Sequence, residues 1–131
     1  GMAKNKVILC DTNIIIELSK NNLLISQELQ AIGSANIAVS AVSAGELMYG
    51  ALNKAELAKI KKGLNAIQII HLDETISGKC LELLEDYSLS HNLDVPDALI
   101  AATAITQNLP LYTLNLKDFR FIEGIKLYLN K

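Results

Sequence analysis

Val7-Ile8-Leu9-Cys10-Asp11-Thr12-Asn13-Ile14-Ile15-Ile16-Glu17-Leu18 changes regime at a single carboxylate. The four residues before Asp11 are all apolar, with no polar alternation. A strand buried on both faces belongs in the middle of a parallel sheet covered by helices. Beyond Asp11, Thr12 is a capping residue type, and Ile14, Ile15, Ile16 and Leu18 supply the apolar positions of a helix.

The rest of the chain repeats this alternation. Residues 24–32 read as a helix stopped by Gly33, and residues 36–40 as a short strand. Ser43 is read as opening a helix with Leu47, Met48, Ala51 and Leu52 on one face. Residues 54–64 place Leu57, Ile60 and Leu64 at helical spacing, with Lys54, Lys59, Lys61 and Lys62 on the other face. A strand over 68–72 and a long helix over 74–91 follow, the latter with Leu81, Leu84 and Leu89 among its apolar positions. Pro96 sits where a helix start tolerates proline. The segment 98–105 is apolar nearly all round and should be buried. Strands are expected over 109–113 and 125–129. Strands alternating with helices argue for a parallel α/β sheet with helices on both faces.

Of the 131 residues, 50% are apolar and 20% charged, which fits one globular domain. We expect that domain to span 2–131, with Gly1 ahead of Met2 a cloning remnant. Aromatics make up 5% and tryptophan is absent, so the core must be aliphatic and no stacking platform for single-stranded nucleic acid is expected. A net charge of −2 gives no global field to attract nucleic acid. Phosphate binding therefore needs a local patch or metal ions. Cys10 and Cys80 read as reduced core residues. No secretory leader is evident, and no apolar run nears the ~18 residues of a membrane span. The expected compartment is the cytoplasm, with no membrane partner.

Asp11 stands at the carboxyl end of the apolar run of the expected central strand, where open α/β sheets hold ligands. Its plainer role is to end a strand and help cap a helix. Ser43-x-x-Glu46 matches a capping box, although the small apolar surroundings of Glu46 suggest partial desolvation. Asp94 can cap the helix that carries Asp97 in its first turn, where the dipole favours acids. Asn115 and Asp118 follow the strand of Thr113 in a turn that suits both residue types. Thr113 can orient a neighbouring carboxylate through its hydroxyl. The cluster argument is collective. Two carboxylates about 5 Å apart repel by roughly 3 kcal/mol at an effective dielectric of 20. Three or four gathered together need a cation to stay ionised, and oxygen donors suit Mg²⁺ or Mn²⁺. His71 and His91 are isolated and offer no zinc spacing.

Four segments in this order resemble PIN domains, and more narrowly the VapC-type toxin ribonucleases of type II toxin–antitoxin pairs. They are Leu9-Cys10-Asp11-Thr12-Asn13-Ile14, Ser43-Ala44-Gly45-Glu46-Leu47-Met48-Tyr49-Gly50, Pro96-Asp97-Ala98-Leu99-Ile100-Ala101-Ala102-Thr103-Ala104 and Leu111-Tyr112-Thr113-Leu114-Asn115-Leu116-Lys117-Asp118-Phe119. The resemblance implies a three-layer α/β/α fold with a mainly parallel sheet. It also implies a Mg²⁺- or Mn²⁺-dependent endoribonuclease leaving 5′-phosphate and 3′-hydroxyl ends. Asp11, Glu46 and Asp97 match the family's principal acids. The fourth position, often Asp, aligns with Asn115, a weaker ligand that cannot act as a base; either Asp118, three residues on, substitutes for it or the site works with three acids. The metal set is thus Asp11, Glu46, Asp97 and Asn115, and the catalytic set Asp11, Glu46, Asp97 and Asp118. Thr12, Asn13 and Thr113 support them, and Lys54, Lys59, Lys61 and Lys62 are candidates for holding RNA. The implied partners are an RNA substrate, a second copy of the chain in a homodimer, and an antitoxin reaching an arginine into the acidic groove.

Three other readings compete. A haloacid-dehalogenase-like phosphatase needs a second Asp where Asn13 stands. A phosphorelay receiver needs a paired acid beside Asp11 and a phosphoacceptor after a middle strand, for which residues 69–73 are a poor match. A non-catalytic PIN-like binding module is the third, and Asn115 keeps it open.

Overall fold

The computed structural model describes residues 6–129. Gly1 and both ends of the expected 2–131 span lie outside the described residues. Four strands form one sheet: β1 (Ile8–Cys10), β2 (Ile37–Ser40), β3 (Gln68–Ile70) and β4 (Leu111–Tyr112). All neighbours are parallel, in the order β3-β2-β1-β4. The expected central strand is therefore central. Helices α1 (Thr12–Ser19) and α2 (Leu23–Ile32) link β1 to β2, and α3 (Ala41–Tyr49) and α4 (Lys54–Leu64) link β2 to β3. The pair α5 (Glu74–His91) and α6 (Val95–Thr106) returns the chain to β4.

Alternation along the strands separates two cores. Ile8, Cys10, Ile37, Val39 and Tyr112 point to one face and pack with Ile14, Ile25, Leu29 and Leu64 of α1, α2 and α4. Leu9, Ala38 and Leu111 point to the other and meet Ile76, Cys80 and Leu83 of α5 with Ala98, Ile100, Ala101, Ala102 and Ala104 of α6. The sheet is thus the middle of three layers. Both cysteines are free and buried; burial pushes the Cys10 thiol up to about 12. Gly33 ends α2 at φ +88°, a conformation side chains disfavour.

Several boundaries differ from expectation. Asp11, not Thr12, caps α1. α3 starts at Ala41, because the buried Ser40 Oγ accepts from Val42 N–H at 3.1 Å. Ser43 therefore lies inside the first turn, and the capping box does not form. The strand expected over 68–72 is cut to Gln68–Ile70, and that over 109–113 to Leu111–Tyr112. Residues 125–129 give a single bridge, Leu111↔Leu127, rather than a full strand. On α5 the inward positions are Ile76, Cys80 and Leu83, while Leu81 and Leu89 face solvent; Leu52 is also exposed, just beyond α3.

Candidate active site

The chain runs outward from β1 to β3 and then returns to the opposite side of β1. Connections leave β1 and β4 on different faces of the sheet, which opens a crevice at their carboxyl ends. Leu9 pairs with Leu111 and Cys10 with Tyr112. The next residues, Asp11 and Thr113, therefore fall side by side in that crevice, and both are buried.

The Asp11 carboxylate is held from two sides. Oδ2 accepts from Thr113 Oγ1 at 2.8 Å, and Oδ1 from the Thr12 N–H at 2.7 Å. Thr113 Oγ1 itself accepts from the Asn115 N–H at 3.0 Å and from Asn13 Nδ2 at 3.5 Å. Asn13 Oδ1 accepts from the Leu114 N–H at 3.2 Å. A hydroxyl has one proton and two lone pairs. With both lone pairs engaged, the Thr113 proton is directed at Asp11.

Glu46 reaches the site from α3. Thr12 Oγ1 donates to its Oε1 at 2.6 Å and lies 2.8 Å from Ser43 Oγ. With the Thr12 proton on the carboxylate, the buried Ser43 hydroxyl donates to Thr12. Because α3 begins at Ala41, Ser43 and Ala44 turn inward and Glu46 stands exposed at the rim, rather than desolvated as expected. The role of Ser43 was hidden in sequence by its match to a cap.

Asp97 enters on the first turn of α6, half-buried, its N–H bound to Asp94 Oδ1 at 3.0 Å. Its carboxyl is pushed up to about 7, first by burial and then by the charges of Asp94, Asp11, Asp118 and Glu46. Burial also raises Asp11, against the lowering by its Thr113 and Thr12 hydrogen bonds; Glu46 and Asp118 raise it further. The acids from four distant segments therefore share one field, and Asp118 belongs to it. Asn115 is exposed and caps the short 3₁₀ turn Leu116–Asp118. Lys54, Lys59, Lys61 and Lys62 are exposed on α4 and, among the described residues, form no ion pair with these acids.

Among the described residues, no three Asp, Glu, His or Cys side chains stand close enough to enclose a metal ion by themselves. The donor set is nevertheless all oxygen, shares one field and contains no cation. That fits an ion such as Mg²⁺, which keeps several waters and takes only one or two carboxylates directly. Asp11, Glu46, Asp97 and Asp118 are the carboxylates that could hold such an ion, directly or through its waters.

The PIN domain family matches residues 8–123. Ribonuclease VapC10 of Mycobacterium tuberculosis is 35% identical over 91 residues, covering 69% of this chain and 68% of the relative. A toxin–antitoxin complex from Klebsiella pneumoniae contains a chain 32% identical, covering 90% of this chain and 94% of that one, with a TM-score of 0.77. VapBC2 from Rickettsia felis, bound to a DNA fragment from its promoter, aligns at 26% identity over 95% of this chain and 99% of that one, with a TM-score of 0.81.

Proposed function

The chain belongs to the PIN-domain family, and from that premise we propose that it is a divalent-metal-dependent endoribonuclease serving as the toxin of a toxin–antitoxin pair. The observation that carries this reading is the fixed Asp11 carboxylate at the β1/β4 crevice, in one field with Asp97, Glu46 and Asp118. The similarity to Ribonuclease VapC10 supports RNA as substrate. The likeness to the Klebsiella pneumoniae complex supports an antitoxin partner. The family resemblance adds a homodimer, and the reading includes action in the cytoplasm.

When bound, Mg²⁺ or Mn²⁺ lowers the pKa of a coordinated water and stabilises charge on phosphate oxygens. Asp11 presents its remaining lone pairs in a fixed direction, because Thr113 and the Thr12 N–H prevent it from turning. Asp97 and Asp118 complete the oxygen set. Glu46, exposed and steered by Thr12, is placed to accept a proton from the attacking water.

Purified wild type and Asp11→Asn are to be compared on structured RNAs with Mg²⁺, Mn²⁺ or EDTA. Wild type should cleave only with metal, and Asp11→Asn should lose at least about a hundredfold, the scale of losing a preorganised charged group. Equal cleavage by the two proteins, or cleavage undiminished by EDTA, overturns the assignment. A folded wild type that cleaves no RNA supports the binding-module reading instead.

A further inference from the structure

Two of the six Phe and Tyr residues of this chain, Tyr87 and Phe121, cluster with a histidine, where the sequence predicts no stacking platform. At the C-terminal end of α5, the ring of His91 lies on that of Phe121, with centroids 4.2 Å apart and planes 9° from parallel. Tyr87 meets both edge-on, at 5.7 Å from His91 and 5.2 Å from Phe121. The Tyr87 hydroxyl accepts from the Glu123 N–H at 3.1 Å, fixing the ring between α5 and the C-terminal segment. Ser90 Oγ lies 2.7 Å from His91 Nδ1 and fixes the imidazole. Phe121 is half-buried, but His91 is exposed. The site thus has a rigid stacked base and an accessible ring on top of it.

Its position in the fold gives it a use. His91 is the last residue of α5, and α6 starts at Val95 and carries Asp97 in its first turn. Phe121 is three residues beyond Asp118, so at most about 11 Å of chain separates them. Arg120, between them, and Lys117, just before Asp118, are exposed and, among the described residues, unpaired. Arg120 is the one arginine in the sequence, and guanidinium suits bidentate contact with phosphate.

We propose that the His91–Phe121 stack is a nucleobase shelf, on which an unpaired base of the RNA flanking the scissile phosphate stacks while Arg120 holds the adjoining phosphate. Single-stranded RNA is recognised in this way, by aromatic faces including histidine. The shelf rests on the nuclease reading for its substrate but can be tested without cleavage.

Short single-stranded RNAs carrying 2-aminopurine at successive positions are to be bound, with Mg²⁺, to Asp11→Asn protein alone and with His91→Ala or His91→Phe added. Emission should be quenched at one position, the quenching lost with His91→Ala and restored by His91→Phe. In otherwise wild-type protein, His91→Ala should raise KM roughly tenfold at unchanged kcat, the scale of one lost stack, and His91→Phe should recover it. Melting temperatures confirm that each variant folds. Quenching at no position, or quenching indifferent to His91, overturns the shelf. If quenching depends on His91 but wild type cleaves no RNA, the nuclease reading falls and the shelf stands. If wild type cleaves and His91→Ala cleaves equally well, the shelf falls alone.

Discussion

Thr113 shows how much one hydroxyl can fix. It takes donors from Asn13 and Asn115 and gives its proton to Asp11, joining the ends of β1 and β4. Thr113→Val keeps the shape and strands the Asp11 oxygen and the Asn115 N–H. It should cost about 1–3 kcal/mol in urea unfolding and roughly ten- to hundredfold in cleavage through misplacement of Asp11; Thr113→Ser should recover most of both. An unchanged rate in Thr113→Val would mean that Asp11 is positioned by other contacts. The fourth acid is decided by a pair of variants. Asp118 raises both Asp11 and Asp97, so Asp118→Asn should lower cleavage strongly and Asn115→Ala only weakly; the reverse order would return the position to Asn115. Asp97 also makes stability depend on pH. Its carboxyl moves from the ordinary 3.8 to about 7 on folding. Between those values the folded chain binds more protons than the unfolded one, so stability is fully present below about 3.8 and is lost as pH rises through about 7. Burial shifts Asp11 in the same direction. Thermal melts in EDTA should therefore fall as pH rises across this window, and added Mg²⁺ should recover the loss at the upper end. A melting temperature flat across the window would show that the acids do not share a field.

At the scale of elements, the longest and most one-sided signals were readable and the short ones were not. The residues of α5 were bounded correctly as 74–91, because Asp73 is a good cap and Asn92 can take the left-handed φ of 56° that ends the helix. The burial of α6 followed from its lack of a polar face. The start of α3 did not, because Ser40 and Ser43 are equally good caps on paper. Pairing of β2 with β3 as far as Ser40↔Ile70 chooses between them, and no local pattern encodes it. The inward face of α5 is not legible in the sequence for a similar reason: leucines occur all round it, and contact with α6 decides which are buried. α6 also tests the link from cap to site. The Asp94 side chain accepts from the Asp97 N–H at 3.0 Å, so Asp94→Ala should cost about 1 kcal/mol of stability by thermal unfolding. Because Asp97 rides on that first turn, metal affinity should weaken too. Lost stability with unchanged metal affinity would show that Asp97 is held by packing instead.

For the whole molecule, the reach of the sequence was asymmetric. The acids could be listed and their convergence argued from cost, but the crevice that gathers them depends on strand order. Only the return of the chain to the far side of β1 sets Thr113 against Asp11. The outer surface makes a further demand. Leu23, Leu24, Tyr49 and Leu52 are 68%, 75%, 93% and 86% exposed, and they project from α2, from the end of α3 and from the turn after it. The elements between are continuous, since α1 packs on both α2 and α3, and α3 on α4. Large apolar side chains left in water on these elements are available for association. A stable dimer needs about 800 Å² from each copy, roughly a tenth of the 8197 Å² this chain presents, so such a surface is affordable in area. The proposed homodimer should therefore be seen by light scattering at micromolar concentration as twice the chain mass. Replacing these apolar residues by glutamate should shift the mass toward one chain if they form the seam. A wild type that stays a single chain at every concentration overturns the homodimer. A dimer indifferent to all four substitutions instead leaves that face free for the antitoxin.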